Sequence, residues 1–330
     1  MPFNTIDRVR QSTALSYLNP ARERPNLIMK GDCTVRRILL NGKKAFGLEI
    51  EQEGKVFVEK GKEIILSGGA IGSPQLLMLS GIGPRQHLME KGIELIHDSP
   101  GVGQNLRDHP QVRLIWEVKA EYEHLKDGSK RGATVAIRYT AEGSDLHNDM
   151  MVHQTATVPQ RFYMTDGEDM YKGVGMTACL YLQIGSGELL LRARDPKVQP
   201  YLNYNYFREE EDLRRMRECV RLCAEVGEGV SYKSIVTKRV QPSEKELQDD
   251  DLLDLWIRRN SSTSHHISST CKMGPESDSM AVVDQYGKVH GIENLRVADA
   301  SIMHDCVRAN TNVPSMMVGE KVAEFIKQGK

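Results

Sequence analysis

The chain has 330 residues, 44 basic against 45 acidic, and a formal charge of −1. That length allows about two domains of ordinary size, and the balanced charge excludes global recruitment by nucleic acid or an anionic membrane. No apolar run approaches the ~20 residues of a transmembrane segment, and the start, Met1-Pro2-Phe3-Asn4, lacks the apolar core of a secretory signal, so a cytoplasmic place is the default expectation.

The first hundred residues read as mixed α/β. Residues 26–29 and 35–40 suit short strands. Asn41-Gly42 is a hairpin turn answered by 45–50, and a second turn at Gly54-Lys55 leads into 56–58. Residues 63–66 read as a buried strand running into Ser67-Gly68-Gly69, with a helix over 74–80. Strand, tight glycine turn and helix leave free backbone N–H groups at a helix start, where a phosphate can sit. The glycines of 67–83 also suit chain pressed against a flat ligand, although an ordinary loop–helix–loop satisfies the same residues.

From Pro110 the character changes. Segments such as 112–118 and 189–192 point to an antiparallel sheet. Two helices interrupt it. One covers 210–225, with Leu213, Met216, Val220 and Cys223 at helical spacing, and Cys219 and Cys223 share a face as small buried side chains. The other starts at Ser243, where Glu246 completes a capping box. The Asp249-Asp250-Asp251 run reads as a solvated segment, because calcium-loop spacing is missing. Residues 281–283 and 295–297 are short strands. Pro314 opens a final helix with Val318, Val322, Phe325 and Ile326 near one face and Lys327 close to its end.

Two clusters carry chemistry: His265-His266-Ile267-Ser268-Ser269-Thr270-Cys271-Lys272-Met273-Gly274 and Ala309-Asn310-Thr311-Asn312. A histidine and an asparagine brought together can take a proton from a hydroxyl and hold the resulting oxygen. A zinc site from His265, His266, Cys271 and Cys306 matches no familiar ligand spacing, so no metal is expected. The six cysteines show no disulfide framework.

Residues 67–83 resemble the second signature of the glucose–methanol–choline (GMC) family of FAD-dependent oxidoreductases. Gly101-Val102-Gly103-Gln104-Asn105-Leu106-Arg107-Asp108-His109 resembles its GVGxNLxDH element. Arg194-Asp195-Pro196, through Pro200 to Asn203-Tyr204, resembles its DP…P…NY element more loosely. The stretch from His266 to Gly274 is similar to HPxGTCxMG. Val283-Asp284, His290-Gly291 and Leu295-Arg296-Val297-Ala298-Asp299-Ala300-Ser301 are similar to VVD…VHG…LRVxDAS. Asn310-Thr311-Asn312 and Gly319-Glu320-Lys321 resemble the closing NTN and GEK elements. The matches run in order along nearly the whole chain, and choline-dehydrogenase-like members are the nearest. Ile267 replaces a proline, Ser269 a glycine and His304 a proline, local departures that bear on substrate fit more than on reaction type.

The resemblance implies an α/β (α+β) fold: part of an FAD-binding domain over 1–109, an antiparallel-sheet substrate-binding domain over 110–265, and the C-terminal part of the FAD-binding domain, with the active-site residues, over 266–330. It implies oxidation of a small-molecule alcohol by hydride transfer to FAD, with His266 as base and Asn310 donating to the substrate oxygen. An ordinary histidine pKa of about 6.5 suits such a base near neutrality. By matched position Val35 touches the adenine end of FAD, and Asp299 and Ala300 lie along its pyrophosphate and ribityl chain. Asn310 and Thr311 stand at the start of the final helix, whose positive dipole end would face the flavin ring. His265 is assigned a structural place. The family's GxGxxG dinucleotide-binding unit does not occur in these residues, so about 200 residues carrying it are expected upstream. On that reading the chain is a fragment that holds FAD poorly alone. A lyase on the same flavoprotein fold and a non-catalytic remnant are the alternatives, and the electron acceptor is left open.

Overall fold

Alternating apolar and polar residues after Gly31 fold into a meander of three antiparallel strands, Cys33–Asn41, Lys44–Gln52 and Lys55–Lys60. The second turn places both Glu53 and Gly54 at positive φ (49° and 76°), as a two-residue hairpin connection requires. The computed structural model describes residues 4–7, 9–122, 135–155 and 173–330. The strand Ile64–Leu66 does not join the meander. It pairs in parallel with Leu295–Val297, so two distant stretches of chain close on each other. Ile38, Leu66, Leu77, Ile82, Leu106 and Val297 belong to the core built around this junction.

A helix, Gly69–Leu79, packs behind that pair. It begins five residues before the expected 74–80, with Pro74 inside it. A proline within a helix has no N–H for the carbonyl four residues earlier. Here the carbonyl of Ala70 instead accepts the Thr270 hydroxyl at 2.7 Å, and this tertiary bond makes the longer helix tolerable. Residues 26–29 are not a strand. They pair with no strand among the described residues, and Ile28 is 80% exposed. Residues 281–283 are also not a strand, since Val283 makes only isolated bridges to Met273 and Val289. Glu188–Leu190 pairs with Tyr201–Asn203 in its own two-stranded sheet, and Leu189 and Leu191 pack into the first core rather than the large sheet.

The large sheet is antiparallel, in the spatial order Ala136–Tyr139, Met150–Thr155, Gly173–Leu180, Pro110–Val118, Val236–Gln241. Val112, Leu114, Trp116 and Val118 alternate on one face, as the two-residue period of a strand requires. They form a second core with Leu213, Met216 and Val220 of the helix Glu210–Gly227. A Cβ at Gly227 would lie 2.3 Å from the Trp116 ring, so only glycine lets this helix end so close to the sheet. Cys219 and Cys223 are buried on that helix face as expected. The helix expected after Ser243 is in fact two, Glu244–Gln248 and Asp250–Asn260. Ser243 and Glu246 complete the capping box of the first. The acidic run is solvent-exposed, as expected, and within it Asp249 caps the second helix and Asp250 pairs with Arg221 at 2.6 Å. The final helix spans Asn312–Lys327, with Thr311 as its cap. No helix among the described residues is long and apolar enough to cross a membrane.

Arg215 lies fully buried between Asp149 (2.7 Å) and Asp212 (2.6 Å). The carboxylates are also bonded: Asp149 takes the Ala141 N–H and the Ser144 hydroxyl, and Asp212 the N–H groups of Ile184 and Gly185. Removing the cation strands two negative charges in the interior. Arg215→Met is therefore expected to lose about 3–5 kcal/mol of unfolding free energy, measured by urea titration.

Candidate active site

Backbone pairing carries the histidine segment to the foot of the large sheet. Ser262 and Thr263 add a two-residue strand opposite Gln111 and Pro110. Arg107 and Ser268 then exchange both backbone hydrogen bonds, at 3.1 and 2.9 Å. Asp108 sits between these clamps, fully buried. Its Oδ1 accepts the backbone N–H groups of His109 (2.8 Å) and His266 (2.9 Å). Its Oδ2 accepts the Tyr206 hydroxyl (2.5 Å) and the Thr263 hydroxyl. Burial, together with the Asp108 charge, pushes the Tyr206 hydroxyl far up, so it remains a donor.

His266 is 8% exposed. Its Nε2 lies 3.0 Å from the Asn310 amide nitrogen, and its Nδ1 lies 2.9 Å from Nδ1 of His109. Burial lowers its pKa; Asp108 opposes the shift and His265 adds to it. The net direction keeps the imidazole neutral at neutral pH, with one ring nitrogen able to accept a proton. His109 stacks on Tyr181 at 4.1 Å and 16°. Burial first, then the adjacent His266, pulls its pKa down to about 3. His265 faces solvent with its backbone at φ +62° and gives its N–H to the Thr263 hydroxyl. Ser269, where the resembled pattern has glycine, holds φ +70°, so the backbone keeps a shape that favours glycine.

The remaining predicted residues gather in two places. Asn310 and Thr311 lead into the final helix, and Asn310 reaches His266. Val35 lies instead in a cleft of about 290 Å³ with Ser67, Gly68 and Ser73, whose walls include neither His266 nor Asn310. Asp299 anchors the helix beside that cleft. Its Oδ2 accepts the Gly69 N–H (3.0 Å) and the Ser73 hydroxyl (2.6 Å), and its Oδ1 accepts the Ser301 N–H. The Gly68 N–H goes to Ser73 Oγ. The glycine turn is thus not a set of free N–H groups, because a carboxylate of the chain already occupies the positive end of this helix. Ala300 lends its carbonyl to the Ser269 N–H, joining the two places. Among the described residues no group of three or more His, Cys, Asp or Glu side chains is arranged to hold a metal.

Asp108, His109, Tyr181 and Tyr206 were not among the expected site residues. The Asp-His pair stood in the GVGxNLxDH element and offered a signal. The two tyrosines offered none, since only the sheet and the hairpin bring them in.

Family models described as GMC oxidoreductase match residues 1–111 and 185–319. The oxygen-dependent choline dehydrogenase of Brucella canis is 38% identical over 96% of this chain and 61% of its own length. The mitochondrial choline dehydrogenase of Mus musculus is 36% identical over 96% of this chain and 56% of its own. Among solved structures, a formate oxidase of Aspergillus oryzae studied for modification of its FAD superposes with a TM-score of 0.80 at 26% identity, covering 90% of this chain and 60% of that one. Pyridoxine 4-oxidase from Mesorbium loti shares the fold, with a TM-score of 0.86 at 22% identity over 98% and 63% of the two chains. The chain belongs to the GMC oxidoreductase family. It spans about three-fifths of the length of these relatives.

The depressed pKa of His109 has a thermodynamic consequence. Below its ordinary value of about 6.5 the unfolded chain binds a proton that the folded chain refuses. The stability this group contributes is complete above about pH 6.5 and is lost toward pH 3, by roughly 1.4 kcal/mol per pH unit. Urea unfolding at pH 6.5 and pH 5 should show a slope in the wild type that His109→Phe flattens by about that amount.

Proposed function

We propose that the chain belongs to an FAD-dependent enzyme that oxidises a small-molecule alcohol, with His266 as the base and Asn310 as its partner. The observation that carries this reading is the 3.0 Å approach of the Asn310 amide to Nε2 of a buried, neutral His266. An alcohol oxygen entering between the two gives its proton to Nε2 and takes a hydrogen bond from the amide as negative charge builds on it. Burial around the pair strengthens that hydrogen bond, since little water competes for it. FAD, when bound, would supply the acceptor for the hydride that leaves the alcohol carbon. The relatives named for choline make choline the first compound to test.

The residues present fit part of that cofactor. Val35, Ser67 and Gly68 line the open cleft, and the strand carrying Val35 breaks register there, between Val35 and Arg37. At about 290 Å³ the cleft lies at the bottom of the ~300–1,000 Å³ range of small-molecule sites, enough for one end of a flavin dinucleotide. Asp299 holds the glycine turn in shape beside it, Ala300 continues that edge, and the Thr311 cap has no side-chain bond to the amides of the final helix. We infer that Val35, Asp299, Ala300, Asn310 and Thr311 contribute to FAD binding. Because that surface is open and partial, this chain alone is expected to retain little FAD in equilibrium dialysis, and stoichiometric retention would count against the assignment.

In the FAD-loaded protein, His266→Ala should keep its flavin absorbance and lose about 10²- to 10⁴-fold in dye-linked alcohol oxidation. Undiminished turnover would remove His266 from the role of base. In the wild type, turnover should rise with pH along a limb centred below about 6.5, because burial lowers the pKa of His266.

A further inference from the structure

We propose that His109 is a positioning residue for the base: its Nδ1 accepts the Nδ1 proton of His266 and so keeps the lone pair of His266 on Nε2, where Asn310 meets it. This rests on the reading of His266 as base, but the tautomer it specifies can be measured without turnover. The two Nδ1 atoms are 2.9 Å apart, so one of them carries the proton and the other accepts it. Two proton arrangements satisfy that contact. In the first, His266 donates from Nδ1 and Nε2 is free to accept, while His109 carries its proton on Nε2. In the second, His109 donates, and the His266 proton sits on Nε2, where no alcohol proton can then be received.

The Asn310 contact selects the first arrangement. The amide nitrogen of Asn310, a donor, faces Nε2 of His266 at 3.0 Å, so Nε2 presents its lone pair and the His266 proton stands on Nδ1. His109 then accepts at Nδ1 and carries its own proton on Nε2, which is buried and has no hydrogen-bond partner among the described residues. Packing and backbone bonds hold the residue in place. Its ring is stacked on Tyr181, its backbone N–H is held by Asp108, and its carbonyl accepts the Ser264 N–H at 3.2 Å. Nor does His109 become a second cation. Burial, His266 and Arg138 all oppose its charge, so a proton received at Nε2 of His266 stays on that ring. A carboxylate in this position would fix the same tautomer but would also favour the imidazolium. A neutral imidazole fixes the tautomer with less effect on basicity.

The test is NMR of the ring nitrogens in the ¹⁵N-histidine-labelled chain. The groups facing His266 are Asp108, His265, His109 and His153, and those facing His109 are His266 and Arg138, so each titration is assigned by single substitutions. Above pH 7 His266 should carry its proton on Nδ1 and His109 on Nε2. A proton on Nε2 of wild-type His266 overturns the proposal, whatever the variants do. His109→Gln, whose side-chain oxygen can accept from Nδ1, should preserve the His266 tautomer, and His109→Phe should move the His266 proton toward Nε2. An unchanged tautomer in folded His109→Phe also overturns it. In the FAD-loaded enzyme, His109→Phe should lower kcat by roughly 10- to 100-fold, with KM changed less, and His109→Gln should recover most of the loss. Equal losses in the two variants would leave His109 a packing role only and count against the proposal.

Discussion

The site depends on one buried carboxylate. Asp108 receives four donors from three places in the chain: its own neighbour His109, the segment of Thr263 and His266, and Tyr206. A carboxylate ion out of water needs such a set, because its desolvation is offset only if its oxygens are filled. The need for donors therefore dictates where the backbone of His266 runs. Since Asp108 is joined directly to His109, fixing one histidine's backbone also fixes the other's. The close approach of the two rings follows from this shared anchor and needs no separate contact to explain it.

A second carboxylate does comparable work on the far side of the same segment. Asp299 ties the start of the helix Gly69–Leu79 to the turn after Leu295–Val297, and the Thr270 hydroxyl reaches the same helix at Ala70. Residues 268–273 thus run between the loop around Gly103 and Arg107 on one side and residues 300–302 on the other, bonded to both. Sites made of loops are usually mobile, yet this loop is bonded like the middle strand of a sheet. That arrangement gives the irregular chain after His266 a fixed position.

Much of this was legible in the residues. The meander, the helix beginning at Glu210, the capping box at Ser243 and the pairing of His266 with Asn310 follow from periodicity, turn chemistry or the ordered motifs. What escaped reading shares a cause. The helix start at Gly69 depends on a hydroxyl 200 residues away. At the acidic run after Gln248, Asp249 caps the second helix through a local bond, but the pairing of Asp250 with Arg221 comes from a distant part of the chain. Leu189 leaves the large sheet because the first core offers it a buried place. Residues 26–29 have the composition of a strand, yet no strand among the described residues pairs with them. The glycine turn looked ready for a phosphate because nothing local shows that Asp299 will reach it. Local propensity cannot report a partner supplied by tertiary structure.

The bond between Thr270 and Ala70 sets an order in which this family member can change. As long as Pro74 is present, the carbonyl of Ala70 has no helical donor, and the loss of the Thr270 hydroxyl leaves a buried acceptor unmet. Were position 74 to become an alanine, its own N–H would fill that carbonyl, and Thr270 would be free to drift. The reverse order passes through a damaged intermediate. Two positions far apart in the chain are thus energetically coupled through one carbonyl, so the cost of changing Thr270 depends on what stands at position 74.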